Sequence, residues 1–205
     1  NDFSKLFTKY LNYFDKIILD APCSGSGMFR KNKAVKDDWT YEKVLSCSTI
    51  QKELIAYSYS MLKPGGLLIY STCSFSVEED EQVIHYLLDN SDAEVIPICL
   101  NKGFVNKNDP IGVHLFPSYF PGEGHYLCLI KKPGELKENL IEENIKIKLN
   151  KDINIAHKCV NKFGDYVFSL PFQIKIDGLN ILRFGLKIGE LKGDTIKYDY
   201  HFSHF

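Results

Sequence analysis

Two short stretches of the chain carry residue types suited to covalent chemistry: Asp20-Ala21-Pro22-Cys23-Ser24-Gly25-Ser26-Gly27 and Ser71-Thr72-Cys73-Ser74. Each follows an apolar run, Ile17-Ile18-Leu19 in the first case and Leu67-Leu68-Ile69-Tyr70 in the second. A thiolate can add to an electron-poor carbon, and a neighbouring carboxylic acid can protonate a ring nitrogen to make that carbon more electrophilic. Pro22 fixes φ ahead of Cys23 and removes a backbone donor, while Gly25 and Gly27 allow close backbone approach to a ligand. Open α/β sheets bind ligands at the carboxyl ends of their strands. Two strands ending in these motifs would therefore deliver two cysteines to one edge of one sheet.

The elements that must position them follow from periodicity. Phe3, Leu6, Phe7, Tyr10, Leu11 and Phe14 recur at helical spacing, which predicts a helix over 3–14 packed on the sheet. A strand at about 15–20 comes next, then the octapeptide loop. A polar, basic stretch over 28–39 ends at Trp39 and reads either as a substrate-facing loop or as an ordinary surface excursion. A long helix is predicted from Thr40 to Leu62, with Val44, Ile50, Leu54, Ile55, Met61 and Leu62 on its apolar stripe. Lys63-Pro64-Gly65-Gly66 stops it and turns the chain into a strand over 67–71. That strand–helix–strand order predicts a parallel, right-handed crossover.

After Cys73, Ser76-Val77-Glu78-Glu79 has capping-box spacing, and Val83, Ile84, Leu87 and Leu88 give the next helix a buried face. Residues 93–98 and 125–130 are candidate strands, the second antiparallel at the end of the sheet. A Pro- and Gly-rich loop over 106–124 separates them. A catalytic portion is thus expected over 1–132. The charged segment 133–155 reads as a linker. A small β-rich module over 156–205 is expected from the runs Tyr166–Leu170, Phe172–Ile176, Ile181–Phe184 and Leu186–Ile188, which glycines separate.

The chain has 205 residues, 44% of them apolar, and a formal net charge of −1. That composition can bury a core, and no run approaches the roughly 18 apolar residues of a membrane span. A near-neutral balance does not mark a general nucleic-acid binder, although Arg30-Lys31-Asn32-Lys33 is locally basic. The six cysteines show no Cys-x-x-Cys pair, so neither zinc spacing nor a disulfide framework is expected. The histidines are isolated, and no metal is expected. A reduced, cytoplasmic setting with no membrane partner follows. The first residue is Asn1, and the numbering is expected to begin inside a longer protein.

Asp20 to Gly27, Lys63-Pro-Gly-Gly66, and Tyr70 to Ser74 with Glu78-Glu79 together resemble the Sun/nucleolar-protein family of RNA cytosine-5 methyltransferases. The likeness is closest to the RsmF-like bacterial branch, which acts on small-subunit ribosomal RNA, and runs to about Lys132. In the tail, Leu170-Pro171-Phe172-Gln173, Gly178 to Leu186 and Gly189-Glu190-Leu191 resemble the PUA-like RNA-binding module that ends that branch. The resemblance implies an α/β fold: the C-terminal part of a Rossmann-like methyltransferase sheet, followed by a small β-rich PUA-like domain.

It also implies S-adenosylmethionine as cofactor and RNA, ribosomal in this branch, as partner. Cys73 would be the nucleophile at C6 of cytosine, and Cys23 would assist product release. Asp20 would lie between cofactor and cytosine, and Asp2 near the cofactor adenine. Pro22, Ser24, Gly25, Arg30, Lys31 and Thr72 would face the RNA. The family's glycine-rich cofactor loop would fall before Asp2. For Cys73 alone, a packed core thiol is the simpler reading; its pairing with Pro22-Cys23 reverses that. Cys47, Cys99, Cys128 and Cys159 lack such context and are assigned to the core. Arg30 and Lys31 stay open between phosphate contact and solvation. The alternative to an enzyme is a non-catalytic RNA-binding or assembly module.

Overall fold

The structure, a computed structural model, describes residues 8–98, 110–137, 159–170, 185–193 and 195–200. The chain divides into two units, one ending at Lys137 and the other beginning at Glu138. In the first unit, β1 (Phe14–Asp20) leads through the octapeptide to α1 (Lys33–Asp37) and α2 (Tyr41–Met61). Then come β2 (Leu62–Thr72), α3 (Glu81–Asp89), β3 (Glu94–Ile96), β4 (Val113–Leu115) and β5 (His125–Lys131).

β1 and β2 pair in parallel, with Leu19 opposite Tyr70 and Asp20 opposite Ser71. β5 runs antiparallel to β2, so the order is β1-β2-β5-β3, with β4 also on β5. β5 is therefore interior, not the end of the sheet as the sequence suggests. Its other edge is shared in tandem by β3 and β4, opposite residues 129–131 and 125–127 respectively.

Burial explains the arrangement. Leu68 and Tyr70 on β2 and Tyr126, Cys128 and Ile130 on β5 point to one face. There they meet Ile55 and Tyr59 of α2 and Val83, Ile84 and Leu87 of α3. Each such side chain contributes about 1.5–3 kcal/mol by leaving water. Residues on the opposite face remain accessible, Ile18 at 75%. Among the described residues no helix is long and apolar enough to cross a membrane.

α2 starts as expected, the Thr40 hydroxyl accepting from Lys43 N–H at 3.2 Å. Ile50 departs from the predicted stripe: it is exposed, while Ser48 and Gln51 are buried. Phe14 belongs to β1, not to a helix; of the predicted helix 3–14, residues 3–7 lie outside the described residues, and only Thr8 and Lys9 of the rest are helical. Lys63 to Gly66 does not precede a strand but sits within β2, looped out where its register against β1 jumps from Leu62 to Leu67. Gly65 has φ +79°, and a Cβ there would lie 2.4 Å from Leu136 N. The Ser76–Glu79 capping box is not formed: α3 begins at Glu81 after Asp80, with no side-chain cap.

The second unit contains a four-stranded antiparallel sheet, β6 (Cys159–Phe163), β7 (Tyr166–Leu170), β8 (Leu186–Lys192) and β9 (Thr195–Tyr198), in that order. Val167, Leu170, Ile188 and Ile196 are buried. The predicted runs over 172–176 and 181–184 lie outside the described residues.

Leu68 is wholly buried in the central strand. Leu68→Ala is expected to lower stability by about 2–5 kcal/mol in urea unfolding of the first unit; a loss below about 1 kcal/mol would contradict the packing described.

Candidate active site

The parallel pairing of β1 and β2 ends both strands at one edge, where Ala21 N–H donates to Ser71 O at 2.9 Å. The two loops then run side by side. Cys23 Sγ and Cys73 Sγ are 2.8 Å apart, and Cys73 N–H donates to Cys23 Sγ at 3.3 Å. Gly27 N–H donates to Cys73 O at 2.8 Å, and Gly124 N–H to Gly27 O at 3.0 Å. A Cβ on Gly27 would lie 2.6 Å from Gly124 O and 2.8 Å from Cys73 O. Only glycine lets the three backbones meet.

Glu79 organises both loops. Its side chain is fully buried and accepts from Ser24 N–H at 2.7 Å, Ser74 Oγ–H at 2.6 Å and Gln51 Nε2–H at 3.1 Å. The Ser24 hydroxyl donates to the same carboxylate and itself accepts from Trp39 Nε1–H at 3.1 Å. Gln51 also reaches Pro22 O at 2.8 Å. Ser24 and Ser74 immediately follow the two cysteines, so one carboxylate sets the positions of both thiols. The sequence reading gave Glu79 a local capping role; the signal it offered was a serine after each cysteine.

The thiols differ through their surroundings. The hydrogen bond from Cys23 holds the Cys73 thiol down, to about 7, against the opposing effect of burial. The same bond, reinforced by burial, pushes Cys23 up. The balance favours the thiolate on Cys73 and the proton on Cys23, with Cys73 N–H at Cys23 Sγ acting in the opposite sense. Burial raises Cys128 to about 12, as suits an inert core residue. Cys47 is only half-buried, not in the core as expected; Cys99 lies outside the described residues, and Cys159 outside those whose side chains are described.

Both thiols open on a cleft of about 690 Å³ lined by Asp20, Pro22, Met28, Lys31, Glu123 and His125. Asp20 Oδ1 accepts from Ser71 Oγ–H at 3.0 Å. Lys31 faces this cleft, whereas Arg30 donates to Gly122 O at 2.6 Å and pairs with Glu123 at 3.4 Å. Ser24, Gly25 and Thr72, expected to face RNA, are buried. Ser24 is committed to Glu79, and Thr72 Oγ1–H donates to Asp80 Oδ1 at 2.6 Å. Asp2 lies outside the described residues. His125, which no sequence pattern singled out, lines the cleft with Nδ1 3.3 Å from Thr72 O. A thiolate, a protonated thiol and a carboxylate around an open cleft suit addition to an electron-poor ring.

Cys23→Ala removes the donor that stabilises the Cys73 thiolate. The midpoint of the Cys73 alkylation rate against pH, followed by peptide mass spectrometry, is expected to climb from about 7 towards 9.0, the ordinary thiol value; an unmoved or lower midpoint would refute this pairing. Glu79→Gln places an amide N–H among donors and is expected to cost roughly 1.5–3 kcal/mol in unfolding free energy. A neutral result there would mean that Glu79 does not hold the loops.

The family model described as 16S rRNA methyltransferase RsmB/F matches residues 1–131. The ribosomal RNA small subunit methyltransferase F of Vibrio atlanticus is 36% identical over 136 residues, 62% of this chain and 29% of that protein. Its counterpart from Aliivibrio fischeri is 30% identical over 216 residues, 93% of this chain and 45% of that protein. A tRNA (cytosine(49)-C(5))-methyltransferase of Pyrococcus abyssi is 36% identical over 62% of this chain and 44% of its own. The chain spans less than half the length of each of these relatives. Among solved structures, PH0851 superposes with a TM-score of 0.56 at 28% identity, covering 60% of this chain and 27% of its own. NSun6 of Pyrococcus horikoshii, solved with SFG, shares the fold at a TM-score of 0.52 and 23% identity, over 59% of this chain and 30% of its own. The family match spans nearly all of the first unit and well over half of the sequence: the chain belongs to the RsmB/F methyltransferase family.

Proposed function

We propose that the protein carrying this chain is an S-adenosylmethionine-dependent RNA methyltransferase that forms 5-methylcytosine in small-subunit ribosomal RNA. The observation that carries the reading is the pair of thiols, 2.8 Å apart, at the mouth of the cleft that Asp20 also lines. In this reading Cys73 Sγ adds to C6 of cytosine, and the C5–C6 π electrons move towards C5. S-adenosylmethionine, when bound, supplies the methyl group that C5 accepts. C5 then loses its proton, the C5–C6 double bond re-forms, and the bond from C6 to Cys73 Sγ breaks. Cys23 assists that release, and Asp20 contacts the base.

The cleft fits a nucleobase and a donor side by side in volume, and Asp20 keeps one carboxylate oxygen beyond the one that accepts from Ser71. Asp20 and Asp2 would hold the donor. The target base must leave its stack or loop to reach the thiolate. Lys31 meets phosphate at the cleft rim, with Pro22 beside the base. The β6–β9 sheet is the described part of a PUA-like RNA-binding domain in this reading. A ribosomal substrate places the protein in the cytoplasm.

Small-subunit rRNA containing 5-fluorocytosine, incubated with the protein and S-adenosylmethionine, is expected to give a denaturant-stable adduct on Cys73, because fluorine blocks loss from C5. Cys73→Ala should abolish it and Cys23→Ala should not. No adduct, or one unchanged in Cys73→Ala, would sink the assignment.

A further inference from the structure

Behind the Cys73 turn lies a polar cluster that the chemistry above does not use. Asp80 and Glu81 stand at the start of α3, and His114 is the middle residue of β4. Their exposures are 0%, 2% and 6%. His114 Nε2 lies 2.8 Å from Glu81 Oε1. An ionised Glu81 oxygen accepts from Nε2–H, and a neutral ring then presents the lone pair of Nδ1 on its other side. That lone pair faces Asp80 Oδ2 at 3.9 Å. Asp80 Oδ2, Glu81 Oε2 and His114 Nδ1 all lack a hydrogen-bond partner among the described residues. Three orphaned atoms on three buried side chains are costly unless something not yet described satisfies them.

The width of the gap limits what fits. At 3.9 Å it is too long for a direct N–H···O bond, which needs about 2.7–3.2 Å. A water bonded to both atoms at roughly 2.8 Å would hold its two bonds near a right angle, tighter than its tetrahedral preference. Two metal–ligand bonds of about 2.0–2.2 Å each also span the gap, at an angle wider than tetrahedral. One ligand atom from each of Asp80, Glu81 and His114 lies within 4.8 Å of the other two.

We propose that Asp80 and His114 Nδ1, backed by Glu81 on the far ring nitrogen, bind a first-row divalent cation, Zn²⁺ foremost. The imidazole favours such an ion over Ca²⁺ or Mg²⁺, and the two carboxylates balance its charge. The surroundings resemble those of histidine metal ligands generally. Glu81 steadies the far nitrogen of the ring, and Thr72 Oγ1–H at 2.6 Å orients Asp80. Thr72 Oγ1 in turn accepts from Ser74 N–H at 3.1 Å. A bound ion would therefore brace the turn that carries Cys73 from behind. The proposal stands apart from the reaction proposed above.

The test uses the full 205-residue chain with Cys23→Ser and Cys73→Ser, because a thiol pair also takes Zn²⁺. Zn²⁺ is titrated against a chromophoric chelator, and Mn²⁺ binding is followed separately by electron paramagnetic resonance. One equivalent is expected to bind, with affinity weakened at least ~10-fold by His114→Ala. Asp80→Asn, which keeps the size of the side chain and its bond with Thr72, should weaken binding as much. It decides the matter if His114→Ala fails to fold, as circular dichroism would report. No stoichiometric binding by the folded chain, or binding that survives both substitutions, overturns the proposal and leaves a shared proton or a trapped water in the cluster.

Discussion

A carboxylate shut away from water must be surrounded by donors, and Glu79 meets that demand with groups drawn from three parts of the chain. Ser24 comes from the loop after β1, Ser74 from the turn after β2, and Gln51 from the middle of α2. The Tyr70 hydroxyl, donating to Glu79 O at 2.6 Å, fixes the residue's own backbone to the core of β2. Because each serine is the next residue after a cysteine, satisfying one charge also sets the distance between two sulfurs. The core beneath supplies rigidity, but the pairing of the thiols depends on this carboxylate.

What could be read beforehand was what local sequence specifies. The apolar runs ending in Asp20 and Ser71 announced two neighbouring strands, and Thr40 announced the start of α2. The register Asp20 opposite Ser71 then brings the two cysteine motifs together, as strand-end placement implied. What could not be read were residues whose tasks are tertiary. Glu79 has the spacing of a cap, yet four donors from elsewhere outweigh the two local bonds a capping box would offer. Ser24 and Thr72 look like accessible polar residues of a binding loop, but buried carboxylates claim both. His114 and Glu81, 33 residues apart, meet only because β4 shares an edge of β5. The interior position of β5 likewise comes from pairing on both edges, which its own alternation of buried and half-buried residues does not reveal.

Three of the cysteines show how little residue type decides. Cys128 sits among Tyr70, Tyr126 and Ile130 in the core and is held protonated by its surroundings. Cys23 and Cys73 are each half-buried, and their contact with each other shifts them in opposite directions.

The looped-out Pro64-Gly65-Gly66 has a mechanical consequence. Pairing with β1 restarts at Lys16 opposite Leu67 and then proceeds one residue at a time to Asp20 opposite Ser71. The phase of the strand, and hence the face on which Thr72 and Cys73 emerge, is set over those last few residues alone. The segment is itself pinned, Gly65 N–H donating to Lys132 O at 2.9 Å and Lys132 N–H to Gly66 O at 3.1 Å, so the strand end keeps its aim.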